Sequence, residues 1–287
     1  MRKVYPKTGL QTLCRLFGYS RQAFYKRQKG EEKQAMQTAI IIDLVAEIRQ
    51  YIPRLGGKKL HFLLQARLMA YDIHLGRDRF FDVLRDNDLL IKPRKKRAMT
   101  TMSKHHLRKY SNLITELIID APNRLWVSDI TYIKVADKWN YVIFITDAYS
   151  KKVVGHQVSD RATTAFCLQA LEQALSQWSQ RTDTLIHHSD RGLQYCSFDY
   201  TDKLKGNGIL ISMTQNGDPL ENAVAERVNG IFKGDFLMDK PFASLQQARR
   251  EIQQMVYHYN HTRPHASCDY LTPVQAHQRT GLLPRRW

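Results

Sequence analysis

Between residues 124 and 158 three strand-patterned segments follow one another with no helix between them: 124–133, Tyr141–Thr146 and Val153–Val158. The second and third are joined by the turn Tyr149-Ser-Lys-Lys152. Parallel neighbours need a crossover of about a dozen residues or more, so strands this close in sequence pair as an antiparallel meander. The period then changes. Ala165, Leu168, Leu171 and Leu175 fall on one face of a helix over 162–178, and Thr184–Ser189 returns to a strand. Phe198–Lys205 reads as a short helix ended by Gly206-Asn-Gly208, and Ile209–Met213 as a fifth strand. Asp218-Pro-Leu-Glu221 has the make-up of a helix start, with Asp218 as N-cap, Pro219 in the first turn and Glu221 closing a capping box. Ser244-x-x-Gln247 caps a last long helix, whose core stripe is Leu245, Ala248, Ile252, Met255, Val256 and Tyr259. Asn260–Pro273 then packs back as an ordered tail.

Within this α/β frame, three acidic residues take positions that bear on chemistry. Asp190 stands where the 184–189 strand gives way to a polar turn, the place where open α/β sheets keep their reactive groups. Asp129 lies inside the first strand. Glu226 lies inside the helix after the fifth strand; at 100° per residue, Val224, Val228 and Ile231 lie about 140–200° away from it, whereas Asn222 and Lys233 lie within about 40°. Glu226 therefore faces the polar side. A cluster of carboxylates suits hard divalent cations, and two such ions about 3.5–4 Å apart can activate a nucleophile on one side of a phosphodiester and stabilise the leaving oxygen on the other. Asp147, at the end of the second strand, is either an auxiliary carboxylate or a turn-stabilising acid. Of His187 and His188, strand alternation points one away from the site.

The charge balance identifies the class of partner. Forty-four Lys and Arg against 27 Asp and Glu give +17, which calls for a polyanion, with nucleic acid favoured over a membrane surface because no basic amphipathic anchor accompanies it. No run approaches 18 apolar residues and no signal-peptide centre is present, so a cytoplasmic protein without membrane contact is expected. Cys14, Cys167, Cys196 and Cys268 are far apart, which indicates neither a zinc site nor a disulfide framework. Near the start, Leu13, Leu16 and Phe17, a break at Gly18, a cap at Ser20 and then Ala23 and Phe24 outline a short helix-turn-helix over 1–36. Its second helix would present Arg21, Gln22, Tyr25 and Lys26 to a major groove, or else to solvent alone. Gly30–Gln37 reads as a polar linker. A second helical DNA-binding module spans 37–90, with Ile41, Leu44, Val45 and Ile48, the basic pair Lys58-Lys59, then Leu63, Leu64, Phe80, Phe81 and Leu84. Residues 91–115 form a basic hinge in which Lys92, Arg94, Lys95, Lys96 and Arg97 are expected on phosphates. The catalytic region covers 116–278 and a tail 279–287.

The words around the three carboxylates add a resemblance. Sixty residues separate Asp129 from Asp190 and thirty-five separate Asp190 from Glu226. With Trp126-x-x-Asp-Ile-Thr131, His188-Ser-Asp-Arg-Gly192, Gln194-Tyr195, Glu221-Asn-Ala-Val-Ala-Glu226, Tyr259-Asn-x-x-Arg-Pro-His265 and Thr272-Pro273, the chain resembles the second-frame product (OrfB) of two-frame bacterial insertion-sequence transposases. The likeness runs over about residues 40–278. It implies a ribonuclease H-like core, a mixed five-stranded sheet with helices, preceded by small helix-turn-helix modules. It also implies a polynucleotidyl transferase that binds the terminal inverted repeats of an element, cleaves DNA and transfers the strand into target DNA. Asp129, Asp190 and Glu226 would be both catalytic and metal-binding, with Asp129 bridging two Mg²⁺ (Mn²⁺ able to substitute). Lys233, which sits where relatives carry a basic residue, would grip DNA. The implied partners are double-stranded DNA, further copies of the chain on that DNA and a first-frame product as partner or fusion, in a bacterial, nucleoid-associated setting. A DNA-binding regulator without catalysis is the alternative. Two features depart from relatives: Glu221 stands where they usually carry Asp, and Leu55-Gly-Gly57 lacks their tyrosine. The zinc-binding His-His-Cys-Cys domain of retroviral integrases has no counterpart.

Overall fold

The computed structural model describes residues 8–92, 107–178, 184–215 and 222–284. Two compact units emerge, one made of residues 1–50 and 60–90, the other of Tyr51–Lys59 and 91–287.

The first unit is helical. It holds α1 (Leu10–Leu16), nearly all of α2 (Arg21–Tyr51), most of α3 (Gly57–Ala70) and α4 (Arg77–Asp86). Gly18 makes the turn with φ of +72°, and the Ser20 hydroxyl caps α2 by accepting from Ala23 N at 3.0 Å. Of the predicted α1 stripe, Leu13 is buried while Leu16 and Phe17 are exposed. The expected linker at Gly30–Gln37 does not exist, because α2 runs unbroken for 31 residues. Glu31 to Gln37 are all good helix formers, and Arg27–Glu31 (2.8 Å) and Gln28–Glu32 (3.1 Å) bridge the turn around Gly30. Together these offset the roughly 1 kcal/mol that one helical glycine costs. Ile41, Leu44, Val45, Leu64, Phe80 and Leu84 are buried as their spacing requires, and Arg67 ties α3 to α2 through Glu47 at 2.7 and 3.1 Å.

The second unit is built on five strands: β1 (Leu125–Val135), β2 (Lys138–Asp147), β3 (Val153–Ser159), β4 (Ile186–Ser189) and β5 (Leu210–Met213). Their order in the sheet is β3-β2-β1-β4-β5. The meander expected of the first three is present, β1–β2 and β2–β3 being antiparallel, whereas β4 joins β1 and β5 joins β4 in parallel. Both parallel joins pass through helices, α5 (Thr164–Gln177) before β4 and α6 (Leu193–Cys196) with α7 (Phe198–Gly206) before β5. Then follow α8 (Ala223–Asp235), α9 (Leu245–His261), a 3-10 turn (Ala266–Cys268) and α10 (Pro273–Ala276). This mixed sheet with helices on both faces is the ribonuclease H-like architecture.

Strand alternation sends neighbours on β1 to opposite faces. Trp126 packs with Phe166, Cys167, Leu171, Tyr200 and Leu204 on one side, and Leu125 and Val127 pack with Ala148, Ile186 and Ala225 on the other. The amide of Asn260 on α9 closes the open edge of β3: Oδ1 accepts from Val153 N at 3.0 Å and Nδ2 donates to Val153 O at 2.9 Å. All four cysteines are buried free thiols. Among the described residues no helix is long and apolar enough to cross a membrane.

Candidate active site

Two residues beyond Val127 on the same face, Asp129 points toward α8. The bond that places it comes from α8, where Asn229 Nδ2 donates to Asp129 Oδ2 at 2.7 Å. One residue back, Ser128 turns to the opposite face and shares a 2.8 Å hydrogen bond with the Tyr195 hydroxyl of α6, while its carbonyl accepts from Asn222 Nδ2 at 3.1 Å. Asn222 and Asn229, seven residues apart and hence on one helix face, fasten the start of α8 along β1.

Asp190 follows β4 directly and begins the turn into α6, its Oδ1 accepting from Gly192 N at 3.0 Å. Gly192 sits in a tight place: a Cβ there would stand 3.0 Å from that oxygen and 3.3 Å from Gln194 Oε1, so those side chains would have to shift by a few tenths of an ångström to admit one. The register Val127↔His188 and the period of two put His188 and Asp190 on the Asp129 face. His187 turns the other way, to the Tyr200 hydroxyl at 3.0 Å, where burial depresses its pKa to about 3. His188 is buried with Nδ1 2.8 Å from Ser212 Oγ. Glu226 lies in the first turn of α8, exposed, one turn before Asn229.

The three carboxylates share one electrostatic environment. Crowding by protein raises the pKa of Asp129 to about 7, and the charges of Asp190 and then Glu226 push in the same direction, against the Asn229 hydrogen bond. Among the described residues, no three His, Cys, Asp or Glu side chains are gathered closely enough to hold a metal ion. Lys233, two turns beyond Glu226, is half-buried; burial lowers its pKa while the charges of Asp129 and Asp239 hold it up. Asp147 is structural. Fully buried, it accepts from Asn123 N (2.7 Å), Ser150 N (2.8 Å) and Ser150 Oγ (2.5 Å) and lies 3.6 Å from His277 Nδ1.

The remaining candidates are dispersed. Arg21, Gln22 and Lys26 are exposed on α2, Lys58 is exposed and Lys59 half-buried at the start of α3, and Lys92 is exposed, its carbonyl held by Arg54 Nη2 at 2.5 Å. Arg94, Lys95, Lys96 and Arg97 lie outside the described residues, as do Asp218 and Glu221 with their expected cap. Sequence reasoning missed Asn222, Asn229, Ser128, Gly192 and Tyr195. Asn229 was findable, since three residues past Glu226 is only 60° around the helix.

Two integrase core domain families match the chain, one over residues 120–219 and the other over 207–273. The insertion element IS600 uncharacterized 31 kDa protein of Shigella sonnei is 32% identical over 91% of this chain and 96% of its own length. The transposase for insertion sequence element IS629, also of Shigella sonnei, is 34% identical over 64% of this chain and 61% of its own. Transposase InsF for insertion sequence IS3A of Escherichia coli strain K12 is 27% identical over 93% of both chains. With the integrase core accounting for more than half of its length and an insertion-element protein a third identical from end to end, the chain belongs to the IS3 family of insertion-sequence transposases.

Proposed function

We propose that this chain binds the ends of its insertion sequence and carries out both phosphodiester exchanges of transposition on Asp129, Asp190 and Glu226. The observation that supports this most is the environment of Asp129, a buried strand carboxylate whose pKa is raised first by that burial and then by the charges of Asp190 and Glu226. One strand carboxylate, held by Asn229, feels two further carboxylates delivered from a strand end and a helix. A fold gains nothing from such repulsion unless a cation relieves it, and structural acids such as Asp147 are surrounded by donors instead. The donor types suit a divalent cation, which would have to draw the three side chains closer together than they stand here. The donors are hard oxygens, burial first and then the charge of Asp190 raises the pKa of Asp129, and the buried Asn229 Oδ1 has no hydrogen-bond partner among the described residues. Two Mg²⁺, bound to the three carboxylates, would supply Lewis-acid activation of nucleophile and leaving oxygen.

The protein's own groups do the rest. Asn229 and Asn222 set where β1 meets α8, and the Gly192 amide aims Asp190. Lys233, on the Glu226 side of α8, neutralises the phosphate flanking the reacting one. In the first exchange water attacks phosphorus at the element's end, the P–O3′ bond breaks and a 3′-hydroxyl is released. In the second that hydroxyl attacks a target phosphodiester, whose own P–O3′ bond breaks. No bond is oxidised or reduced. The exposed α2 residues Arg21, Gln22 and Lys26 and the basic 92–97 stretch serve end recognition and phosphate contact, with further copies of the chain and a first-frame partner assembling on the DNA.

The test is a strand-transfer assay with the full chain, Mg²⁺ and a plasmid carrying the element's ends. Nicking and joined products that vanish on chelation are expected. A chain that retards the DNA yet leaves it uncut is the non-catalytic regulator instead.

A further inference from the structure

Residues 51–59 belong by their contacts to the second unit although residues 60–90, which belong to the first, separate them from the rest of it. They are tied there by the backbone of Arg54, whose N donates to Asp235 O at 2.9 Å at the end of α8, and by Tyr51, stacked on His258 of α9 at 4.3 Å. This anchoring carries Lys58 and Lys59 to the α8–α9 side of the catalytic unit, rather than leaving them with the helical module in which their sequence position puts them.

There they meet an excess of positive charge. Arg263 is nearly fully buried and takes both Nε (2.9 Å) and Nη2 (2.8 Å) to Asp235 Oδ2, while its Nη1 lies 3.1 Å from His265 Nε2. Asp235 is thereby engaged. Lys59, Lys58, Arg227 and Arg263 then stand within electrostatic reach of one another around that one carboxylate. Lys59 is half-buried; its backbone N donates to Gly56 O at 3.1 Å, while its side chain makes no hydrogen bond or ion pair among the described residues. Burial first, then the charge of Arg263, depresses its pKa to about 8, and the fields of Lys59, Arg263 and Arg227 also hold the buried His265 uncharged. The Tyr259 hydroxyl, fully buried and in the field of Arg263, Arg227 and Asp235, has no hydrogen-bond partner among the described residues. An ammonium kept among guanidinium groups, with its nearest carboxylate already bound elsewhere, destabilises the free protein; an anion would relieve it. Arg227 follows Glu226 on α8 but is turned about 100° from it around the helix, so the anion would lie on a different side of α8 from the carboxylate site.

We infer that Lys59, with Lys58 and Arg227 and buttressed by the Arg263–Asp235 pair, forms a second binding site on the catalytic unit for backbone phosphates of duplex DNA. This rests on the DNA-transferring function above. The three side chains would hold phosphates away from the reacting one. Because they touch only the backbone, they would do so regardless of base sequence.

The experiment compares full-length protein with Lys59→Gln, Lys59→Arg and Arg227→Gln, using a 20-base-pair duplex of random sequence and fluorescence anisotropy across a salt series. Each lost phosphate contact should lower the slope of log affinity against log salt by about 0.9, which is about an eightfold loss at 0.1 M salt. Lys59→Gln and Arg227→Gln should each show it, and Lys59→Arg should keep the wild-type slope. Lys59→Gln should melt no lower than wild type, since it removes a charge from a cationic cluster. If both glutamine variants bind with unchanged slope, the phosphate site is refuted; a lower melting point with unchanged slope refutes it equally and makes Lys59 structural. Plasmid strand transfer by the wild type is run alongside. Its absence with the slope changes intact would refute the transposase function and leave the phosphate site standing.

Discussion

At the scale of single residues, the proposed site can be tested at three positions. Asp129→Asn, Asp190→Asn and Glu226→Gln each remove a ligand charge with little change of shape, so each should abolish Mg²⁺-dependent cleavage while leaving duplex retardation intact. Cleavage surviving in one variant removes that residue from the site. Asp129 makes a further, opposite prediction about stability. Its folded pKa of about 7 lies above the unfolded value of 3.8, so the folded chain binds the extra proton between those limits. Its contribution is therefore most favourable below about pH 4 and is lost as pH rises toward 7. In metal-free protein Asp129→Asn should then raise the melting temperature at pH 8 by about 2–4 °C, the shift that about 1 kcal/mol produces in a chain of this size. The gain should disappear near pH 4, and a variant that melts lower than wild type at pH 8 would show that the repulsion is not there.

Elements show what sequence could and could not reveal. Two elements of the core were legible because their patterns are clean: β2 carries the apolar run Tyr141–Ile145, and α9 buries Ala248, Ile252, Val256 and Tyr259 at the expected spacing, whereas α5 buries Phe166, Cys167, Ala170, Leu171 and Ala174 and so only Leu171 of the expected stripe. Asp129, Asp190 and Glu226 were legible because a strand middle, a strand end and a polar helix face can be assigned without coordinates. Asn222 and Asn229 were not singled out, since an asparagine on a polar face looks the same whether it meets solvent or the carboxylate of a strand sixty or more residues away. The 30–37 linker was misjudged for a local reason, one glycine in a polar run, where seven helix formers decide the outcome. Asp147 settles its own two alternatives by its partners. Asp147→Ala should leave three donors unsatisfied in the turn after β2 and cost about 3–5 kcal/mol, read as a lowered denaturation midpoint. Cleavage per folded molecule should be unchanged; a normal midpoint with lost cleavage would restore it as an auxiliary ligand.

Over the whole molecule, the net charge of +17 includes basic residues of two kinds that differ in what they could contact. Exposed Arg21, Gln22 and Lys26 open α2, a helix whose start follows a tight turn at Gly18 and a Ser20 cap, a geometry suited to reading base edges. The stretch Lys92-Pro-Arg-Lys-Lys-Arg97 carries five cationic side chains in six residues, a composition suited to phosphates more than to base edges. The two kinds of contact scale differently with sequence. Replacing Arg94, Lys95, Lys96 and Arg97 by glutamine should weaken binding to element ends and to random duplex by the same factor and flatten both salt dependences by up to about 0.9 per phosphate lost. Replacing Arg21 and Gln22 by alanine should instead weaken binding to the ends alone, by about 1–3 kcal/mol per base contact, and so erase the preference for ends while random duplex is held nearly as before. Anisotropy titrations of both duplexes at two salt concentrations resolve the cases. Equal losses on both duplexes from the α2 variants would make that helix a phosphate clamp and move end recognition to another part of the chain.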